Sequence, residues 1–149
     1  MTPADPDYEA RVRASFDRQR VMALLGARMV SVGAGVVEIA LPFREDLTQQ
    51  DGFLHAGVVT TIVDSACGYA AYTLMPAGAG VLTVEFKVNL LNPAQGVRFV
   101  ARGKVVKPGR TITVCAGEVT AEREDGERRL VALMQATMMV MRDRTAVTD

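Results

Sequence analysis

Four segments with strand character follow one another in the second half of the chain, and they constrain the fold more than any other feature. Three of them alternate apolar and polar residues or are rich in β-branched residues, namely VLTVEFKVNLL, VRFVARGKVV and TITVCAGEVTAE. The fourth runs from Arg129 to Met141. Its Ala, Leu and Met content favours a helix, but the hairpin-like spacing of the preceding segments favours one more strand. We therefore predict four consecutive strands.

The first half of the chain adds a helix and a hairpin. Apolar residues fall near helical spacing between Tyr8 and Leu25, and Gly26 follows as a stop, which predicts one amphipathic helix. Next come RMVSV and VVEIALPF, separated by GAG, which predicts a hairpin with glycine in its turn. Pro42 closes the second strand of this hairpin.

A single long apolar helix, beginning near Ala56, is predicted between the hairpin and the four strands. About six antiparallel strands with one long helix to cover a face of their sheet define the α+β class. No internal repeat, low-complexity tract or Ser/Gly linker divides the sequence. We expect one domain over 1–149, with an amino-terminal helical segment over 1–25 and a loose tail over 143–149.

Charge and cysteine content narrow the class of protein. Seventeen Lys and Arg residues balance seventeen Asp and Glu residues, so the chain lacks the positive field of a nucleic-acid-binding protein. Cys67 and Cys115 belong to no metal-binding motif, and we expect neither a disulfide nor a metal site. The acidic start lacks the basic residues and apolar core typical of a signal peptide, and the apolar runs are shorter than the roughly 20 residues of a membrane helix. We expect a soluble, cytoplasmic protein with no nucleic-acid or membrane partner.

The predicted central helix carries an acidic residue inside an apolar sequence, LHAGVVTTIVDSACGYAA. A start near Ala56 places Asp64 on a narrow stripe with Gly57, Thr61 and Gly68, while larger apolar residues occupy the other side. Small residues allow another backbone to come close, and solubility alone does not explain a carboxylate among them. Asp64 is therefore a candidate catalytic residue.

The start of the same helix is a candidate oxyanion hole. The backbone N–H groups of Ala56 and Gly57 can donate to an oxygen with developing negative charge, which the helix dipole also favours. Gly57 and Asp64 lie about 10 Å apart along one helix, whereas one reacting carbonyl group needs donors and base within about 3 Å. Two antiparallel helices from two chains meet both demands, so we predict a dimer with two composite sites.

These same stretches carry a resemblance to a known family. LHAGVVTTIVDSACGYAA, followed by VLTVEFKVNLLNPAQG, resembles the hot-dog-fold acyl-CoA thioesterases of the phenylacetate-pathway (PaaI-like) group, over roughly 26–141. The resemblance implies a sheet wrapped around the central helix, dimers that join their sheets edge to edge, and homotetramers as a common assembly. It also implies that Asp64 activates water or attacks the thioester carbon of an acyl-CoA or aryl-acyl-CoA.

Individual site residues follow from the resemblance. The Ala56 amide, with Gly57 beside it, would polarise the thioester carbonyl; many members have Gly at the first position, but Ala still supplies a backbone N–H. Gln49 would orient the water or the carbonyl. Thr83 matches a position where some relatives have a hydroxyl near the attacking water, and it counts among the expected substrate contacts with His55, Val58 and Val84. The contacts to the coenzyme A phosphates would be Lys107 and Arg110. No metal or cofactor is implied beyond the coenzyme A that the substrate carries.

Two further functions fit the same residues. A hot-dog hydratase or dehydratase would recruit His55 and depend on it at least as much as on Asp64, and a non-catalytic module would bind acyl-CoA without turnover. Structurally, Asp64 could be an interface carboxylate and His55 could fix the loop before the helix. The remaining residues also suit ordinary loop, strand or turn positions: Gln49, Thr83, Lys107 and Arg110. The sequence does not determine the acyl-chain length or aromatic preference either, because one methylene changes binding by only about 1 kcal/mol.

Overall fold

The sheet has six strands in the computed structural model, which describes residues 1–142; the tail expected over 143–149 lies outside the described residues. The strands are β1 (Arg28–Gly33), β2 (Val36–Pro42), β3 (Gly80–Leu90), β4 (Arg98–Lys107), β5 (Ile112–Glu122) and β6 (Arg128–Met141). Their spatial order is β1-β2-β4-β5-β6-β3, and every neighbouring pair is antiparallel. The predicted number of strands is confirmed.

The last segment is a strand, as predicted against its helical composition. Met134, Ala136 and Met138 of β6 are buried, while Leu133 and Gln135, which alternate with them, are exposed. This two-residue period matches a strand with one face on a core, and pairing with β5 and β3 on its two sides completes its hydrogen bonds. Tertiary pairing thus overrides the helix propensity of Ala, Leu and Met.

The prediction of one helix over 8–25 is wrong, because this segment forms two helices, α1 (Tyr8–Asp17) and α2 (Arg20–Leu25). The chain changes direction at Gln19, whose ψ of 94° is extended. The buried residues explain the break: Phe16 and Met22 are six positions apart, which places them on different faces of any continuous helix.

The third helix, α3 (Ala56–Tyr72), begins where the sequence predicts and packs against one face of the sheet. Two glycines bring it close to the strands. A Cβ on Gly103 of β4 would overlap the backbone of Ala66, and one on Gly117 of β5 would meet the Val63 and Cys67 side chains. The helix therefore rests directly on the middle of the sheet, and the predicted arrangement of a sheet around one long helix is confirmed.

The edge strand β3 is unusual because most of its length is exposed on both faces. It pairs with β6 on one side, and among residues 1–142 nothing pairs with its other side. Four apolar side chains on it are about half exposed: Leu82, Val84, Phe86 and Leu90. An uncovered edge with exposed apolar residues is a template for pairing with another strand. Within the same described range, no helix has the length and apolarity that crossing a bilayer requires.

Candidate active site

Asp64 lies in the middle of α3, on the side that faces β3. The Oγ1 of Thr83 donates a hydrogen bond of 2.8 Å to Asp64 Oδ1, and the same oxygen is 3.4 Å from the sulfur of Met138. Burial raises the pKa of Asp64 above its ordinary value, and the hydrogen bond from Thr83 opposes that rise. The structure thus brings two of the predicted site residues together around a partly desolvated carboxylate.

The stripe predicted for this face of α3 is present. Gly57, Thr61, Asp64 and Gly68 all keep solvent exposure, whereas the apolar positions on the opposite side are fully buried. The helix therefore offers one accessible line of small residues, interrupted by a single acid.

A cavity of about 470 Å³ opens beside Asp64. One wall comes from the carboxyl-terminal half of α3 and another from the start of β3, with Met141 of β6 closing it. The end of α1 and the turn after it supply a further wall through Ser15 and Gln19. No local pattern in the sequence signals this last contribution, because it depends on how α1 and the break at Gln19 pack against α3.

Aromatic and cationic contacts hold α1 over this cavity. The rings of Phe16 and Tyr69 meet edge to face with centroids 5.8 Å apart. The Arg11 guanidinium lies 4.2 Å from the centre of the Tyr72 ring and donates a 2.8 Å hydrogen bond to the Met75 carbonyl. Tyr69 and Tyr72 line the cavity, so the packing of α1 fixes two of its walls.

The start of α3 is capped by the only histidine of the chain. The Nδ1 of His55 accepts a 2.9 Å hydrogen bond from the Gly57 N–H. Within residues 1–142, the Ala56 N–H donates no hydrogen bond. The two predicted donors thus differ: Ala56 presents a free N–H, while the Gly57 N–H is engaged by the cap.

Gln49 lies close to this helix start. It lines a groove of about 370 Å³ together with Ala56, Val59 and the end of β3. Its side chain is tied to Asp51, whose backbone N–H donates to Gln49 Oε1. This groove shares no lining residue with the cavity at Asp64. Within one chain, these predicted residues therefore form two separate groups, one at the Asp64 cavity and one at the groove beside Ala56.

The remaining predicted residues line neither of these two cavities. Val58 is half-buried and packs on the core, and Val84 is exposed at a bulge of β3 next to Thr83. Lys107 is exposed at the end of β4. Arg110 lines a cavity of about 400 Å³ near the carboxyl-terminal end of α3, where Arg142 donates a 3.0 Å hydrogen bond to the Arg110 carbonyl.

The two thiols are buried and free. Cys115 Sγ is 3.5 Å from the Cys67 carbonyl, and burial raises the pKa of Cys115 to about 12 and that of Cys67 well above its ordinary range. Both thiols are therefore neutral and poor nucleophiles near neutral pH. In the part of the chain that the structure describes, no three His, Cys, Asp or Glu residues are grouped so as to hold a metal ion.

Comparison with known proteins agrees with this architecture. Residues 51–127 match the thioesterase superfamily. A solved thioesterase family protein from Silicibacter pomeroyi is 58% identical, with a TM-score of 0.88 over 90% of this chain and 98% of that one. Human acyl-coenzyme A thioesterase 13 is 25% identical over 80% of this chain and 86% of its own. The PaaI protein of the Escherichia coli phenylacetic acid degradation operon shares the fold at 16% identity, with a TM-score of 0.78 over 89% of this chain and 92% of that one.

Proposed function

The chain belongs to the thioesterase superfamily and is a thioester hydrolase, and from that premise we propose that it converts an acyl-CoA or aryl-acyl-CoA to the free acid and coenzyme A. The observation that carries the proposal is the half-buried Asp64 carboxylate, bonded to Thr83 at the mouth of a cavity of about 470 Å³. The similarity to human acyl-coenzyme A thioesterase 13 supports the coenzyme A portion of the substrate.

Asp64 acts on the thioester carbon by one of two routes. As a general base it removes a proton from water, and the water oxygen attacks the carbon. As a nucleophile its carboxylate attacks directly, and water then hydrolyses the resulting anhydride. In both routes one water is consumed, the carbon–sulfur bond breaks, and the thiolate of coenzyme A takes up a proton. The raised pKa makes Asp64 a stronger base than an ordinary carboxylate, and Thr83 orients it.

The Ala56 N–H stabilises the oxygen that becomes negative when the carbon is attacked. It is a free donor at the positive end of a helix 17 residues long, so charge on the oxygen is favoured by both the hydrogen bond and the dipole. The Gly57 N–H adds a second donor only if it leaves the His55 ring. His55 serves mainly to cap the helix, and its occupied Nδ1 gives a hydratase mechanism no support.

Two chains are needed to bring these groups to one carbonyl. Ala56 and Asp64 are eight residues apart, about 12 Å along the helix, and they open into separate cavities. Pairing β3 with β3 of a second copy covers the exposed apolar edge and sets the two α3 helices antiparallel across a two-fold axis. Each site then combines Asp64 of one chain with the helix start of the other. Association of two such dimers into a homotetramer, and a cytoplasmic location, stay predictions.

Four other predicted residues have roles in binding the substrate at this composite site: Gln49, Val84, Lys107 and Arg110. Gln49 shares a groove with Ala56 and orients the carbonyl or the water there. Val84 lies at the β3 edge, where a substrate passing between two chains touches it. Lys107 and Arg110 form a basic turn, and a planar guanidinium suits the phosphates of coenzyme A. The reaction as written requires no cofactor.

Thiol release from a panel of short, medium and aromatic acyl-CoAs tests this proposal. We expect turnover by the wild type and a loss of roughly a hundredfold or more in Asp64→Asn, which keeps the shape but not the basicity of the side chain. Asp125→Asn, in the exposed β5–β6 turn, is the matched control and should retain full activity. If the wild type binds coenzyme A esters but releases no thiol, the protein is a binding module.

A further inference from the structure

The wall of the Asp64 cavity that faces α1 and α2 is polar, although nothing in the reaction requires it. Ser15, Gln19, Ser65 and Tyr69 all contribute to it. Ser65 is only 7% exposed, yet the one hydrogen bond of its hydroxyl in the described part of the chain goes to Gln19 Oε1 at 3.4 Å. That distance is long for O–H···O, and a hydroxyl so deeply buried normally has a closer partner.

Gln19 has spare hydrogen-bonding capacity as well. Its Oε1 accepts only the long bond from Ser65, and its Nε2 makes no hydrogen bond to another residue in the range 1–142. A primary amide offers two donors and two acceptor positions. The two side chains together therefore present a weakly bonded hydroxyl and an amide with spare donors and acceptors to the cavity.

The position of this pair relative to the reacting carbon is fixed by the helix. Ser65 follows Asp64 directly, so the pair lies beside the first carbons of any acyl group whose carbonyl carbon is held at Asp64. The cavity continues for about 12 Å along α3 toward Tyr72. There the facing residues Gly80, Val81 and Met141 offer no side-chain hydrogen bond. The polar contact is thus near the thioester, and the deeper part suits an apolar chain.

We propose that Gln19 and Ser65 determine the acyl preference by binding an oxygen substituent on the first carbons of the acyl group, so that 3-hydroxyacyl thioesters are better substrates than the corresponding plain acyl thioesters. A 3-hydroxyl accepts from Ser65 Oγ or Gln19 Nε2 and donates to Gln19 Oε1. A methylene at the same place leaves these groups buried without good partners, which lowers its binding. The inference rests on the proposed acyl-CoA hydrolysis.

One residue of this pair belongs to the amino-terminal segment, and the other, Ser65, belongs to the matched superfamily region. Gln19 lies outside residues 51–127 and reaches the cavity because the chain breaks between α1 and α2. Arg11 and Phe16 hold that segment in place through Tyr72 and Tyr69. The contribution of Gln19 to the substrate preference is therefore separable from the catalytic centre.

The test compares kcat/KM for hexanoyl-CoA, 3-hydroxyhexanoyl-CoA and 6-hydroxyhexanoyl-CoA. We expect the wild type to favour the 3-hydroxy over the plain substrate by about tenfold, with no such advantage for the 6-hydroxy substrate. Gln19→Leu and Ser65→Ala should each bring the 3-hydroxy preference close to one. Gln135→Leu, the same change on the exposed outer side of β6, is the control and should keep the wild-type ratio.

Calorimetric binding of the same thioesters to Asp64→Asn separates this inference from the proposed function. A tighter Kd for the 3-hydroxy ester, lost in the Asp64→Asn/Gln19→Leu double variant, supports the polar wall even if the wild type proves not to hydrolyse any ester. Equal kcat/KM and equal Kd for the plain and 3-hydroxy esters, or a preference that survives both Gln19→Leu and Ser65→Ala, overturns the inference while leaving hydrolysis intact.

Discussion

The hydroxyl of Thr83 on β3 donates a 2.8 Å hydrogen bond to the carboxylate of Asp64 on α3. The bond joins the edge strand to the middle of the central helix, and it is the one described contact that lowers the pKa of an acid whose burial raises it. Because the ionised form of Asp64 accepts this bond, the balance between burial and Thr83 sets the pH at which the carboxylate becomes a base.

Replacing Thr83 should therefore move the pH dependence of catalysis. In Thr83→Val the ionised carboxylate loses its hydrogen bond, so the pKa of Asp64 rises further. We expect the acid limb of the kcat/KM profile to shift to higher pH, with a loss of activity that is greatest on the acid side. Thr83→Ser keeps the hydroxyl and should restore the wild-type limb. An acid limb that is identical in the wild type and Thr83→Val would show that Asp64 is not the titrating base.

Asp64 should also destabilise the free protein when it is ionised. Its pKa is higher in the folded chain than in the unfolded chain, so the folded state is favoured at low pH, and this advantage is lost as pH rises from the unfolded pKa through the folded one. Asp64→Asn removes the cost of the charge. We expect it to raise the free energy of unfolding at pH 7 by no more than about 1 kcal/mol, since solvent still reaches the side chain. Urea titrations at several pH values should show the gain shrinking toward pH 4.

Arg11 should contribute more to stability than any exposed arginine of α1. It forms an ion pair of 2.7 Å with Asp5, donates to the Tyr72 and Met75 carbonyls, and covers the Tyr72 ring. We expect Arg11→Met to lower the free energy of unfolding by about 2 to 3 kcal/mol, because buried carbonyls and the ring lose their partner.

The matched control for Arg11 is Arg13→Met on the same helix. Arg13 pairs with Glu9 at 2.9 Å, but both side chains are well exposed, so the loss should stay within about 0.5 kcal/mol. Arg11→Lys should recover little, since an ammonium cannot make the forked contacts or stack on the ring in the same way. Equal losses for Arg11→Met and Arg13→Met in chemical denaturation would contradict this role.

The sequence was sufficient for features with a strong local period. The start of α3 at Ala56, the six strands, and the accessible stripe with Asp64 all follow from spacing and turn residues. The break at Gln19 does not, because it depends on where Phe16 and Met22 find their buried contacts with distant parts of the chain. For the same reason the wall formed by Ser15 and Gln19 could not be foreseen from the sequence.

The start of α3 shows a second feature that could not be predicted from the sequence. A free N–H at Ala56 and at Gly57 is expected for any helix, and the sequence shows that a histidine precedes them. Whether the His55 ring turns back to accept from Gly57 depends on its side-chain rotamer and on the loop before it, which local pattern does not specify. The two donors are equivalent in the sequence and different in the structure.

Ala56→Pro removes the free donor with little disturbance of the helix. Position 56 is the first residue of α3, where proline is well tolerated, and His55 already has the extended backbone, with φ −60° and ψ 136°, that precedes proline. We expect kcat to fall by about 10² to 10³ with unchanged thermal stability, as for loss of one oxyanion-hole donor. Ala56→Gly keeps the N–H and should stay near wild type. Full activity in Ala56→Pro would exclude this amide from the reaction.

Co-expression of the Ala56→Pro chain with the Asp64→Asn chain tests whether one chain or two form the active site. Each homodimer is inactive alone, because every site lacks either the donor or the acid. In a heterodimer with composite sites, one site takes Asp64 from the Ala56→Pro chain and the helix start from the Asp64→Asn chain, and is intact. Co-expression of the two variants in equal amounts should therefore restore about a quarter of the wild-type activity, since half of the dimers carry one working site of two. If the site lay within a single chain, every site in the mixture would keep one defect and activity would stay at the level of the separate variants.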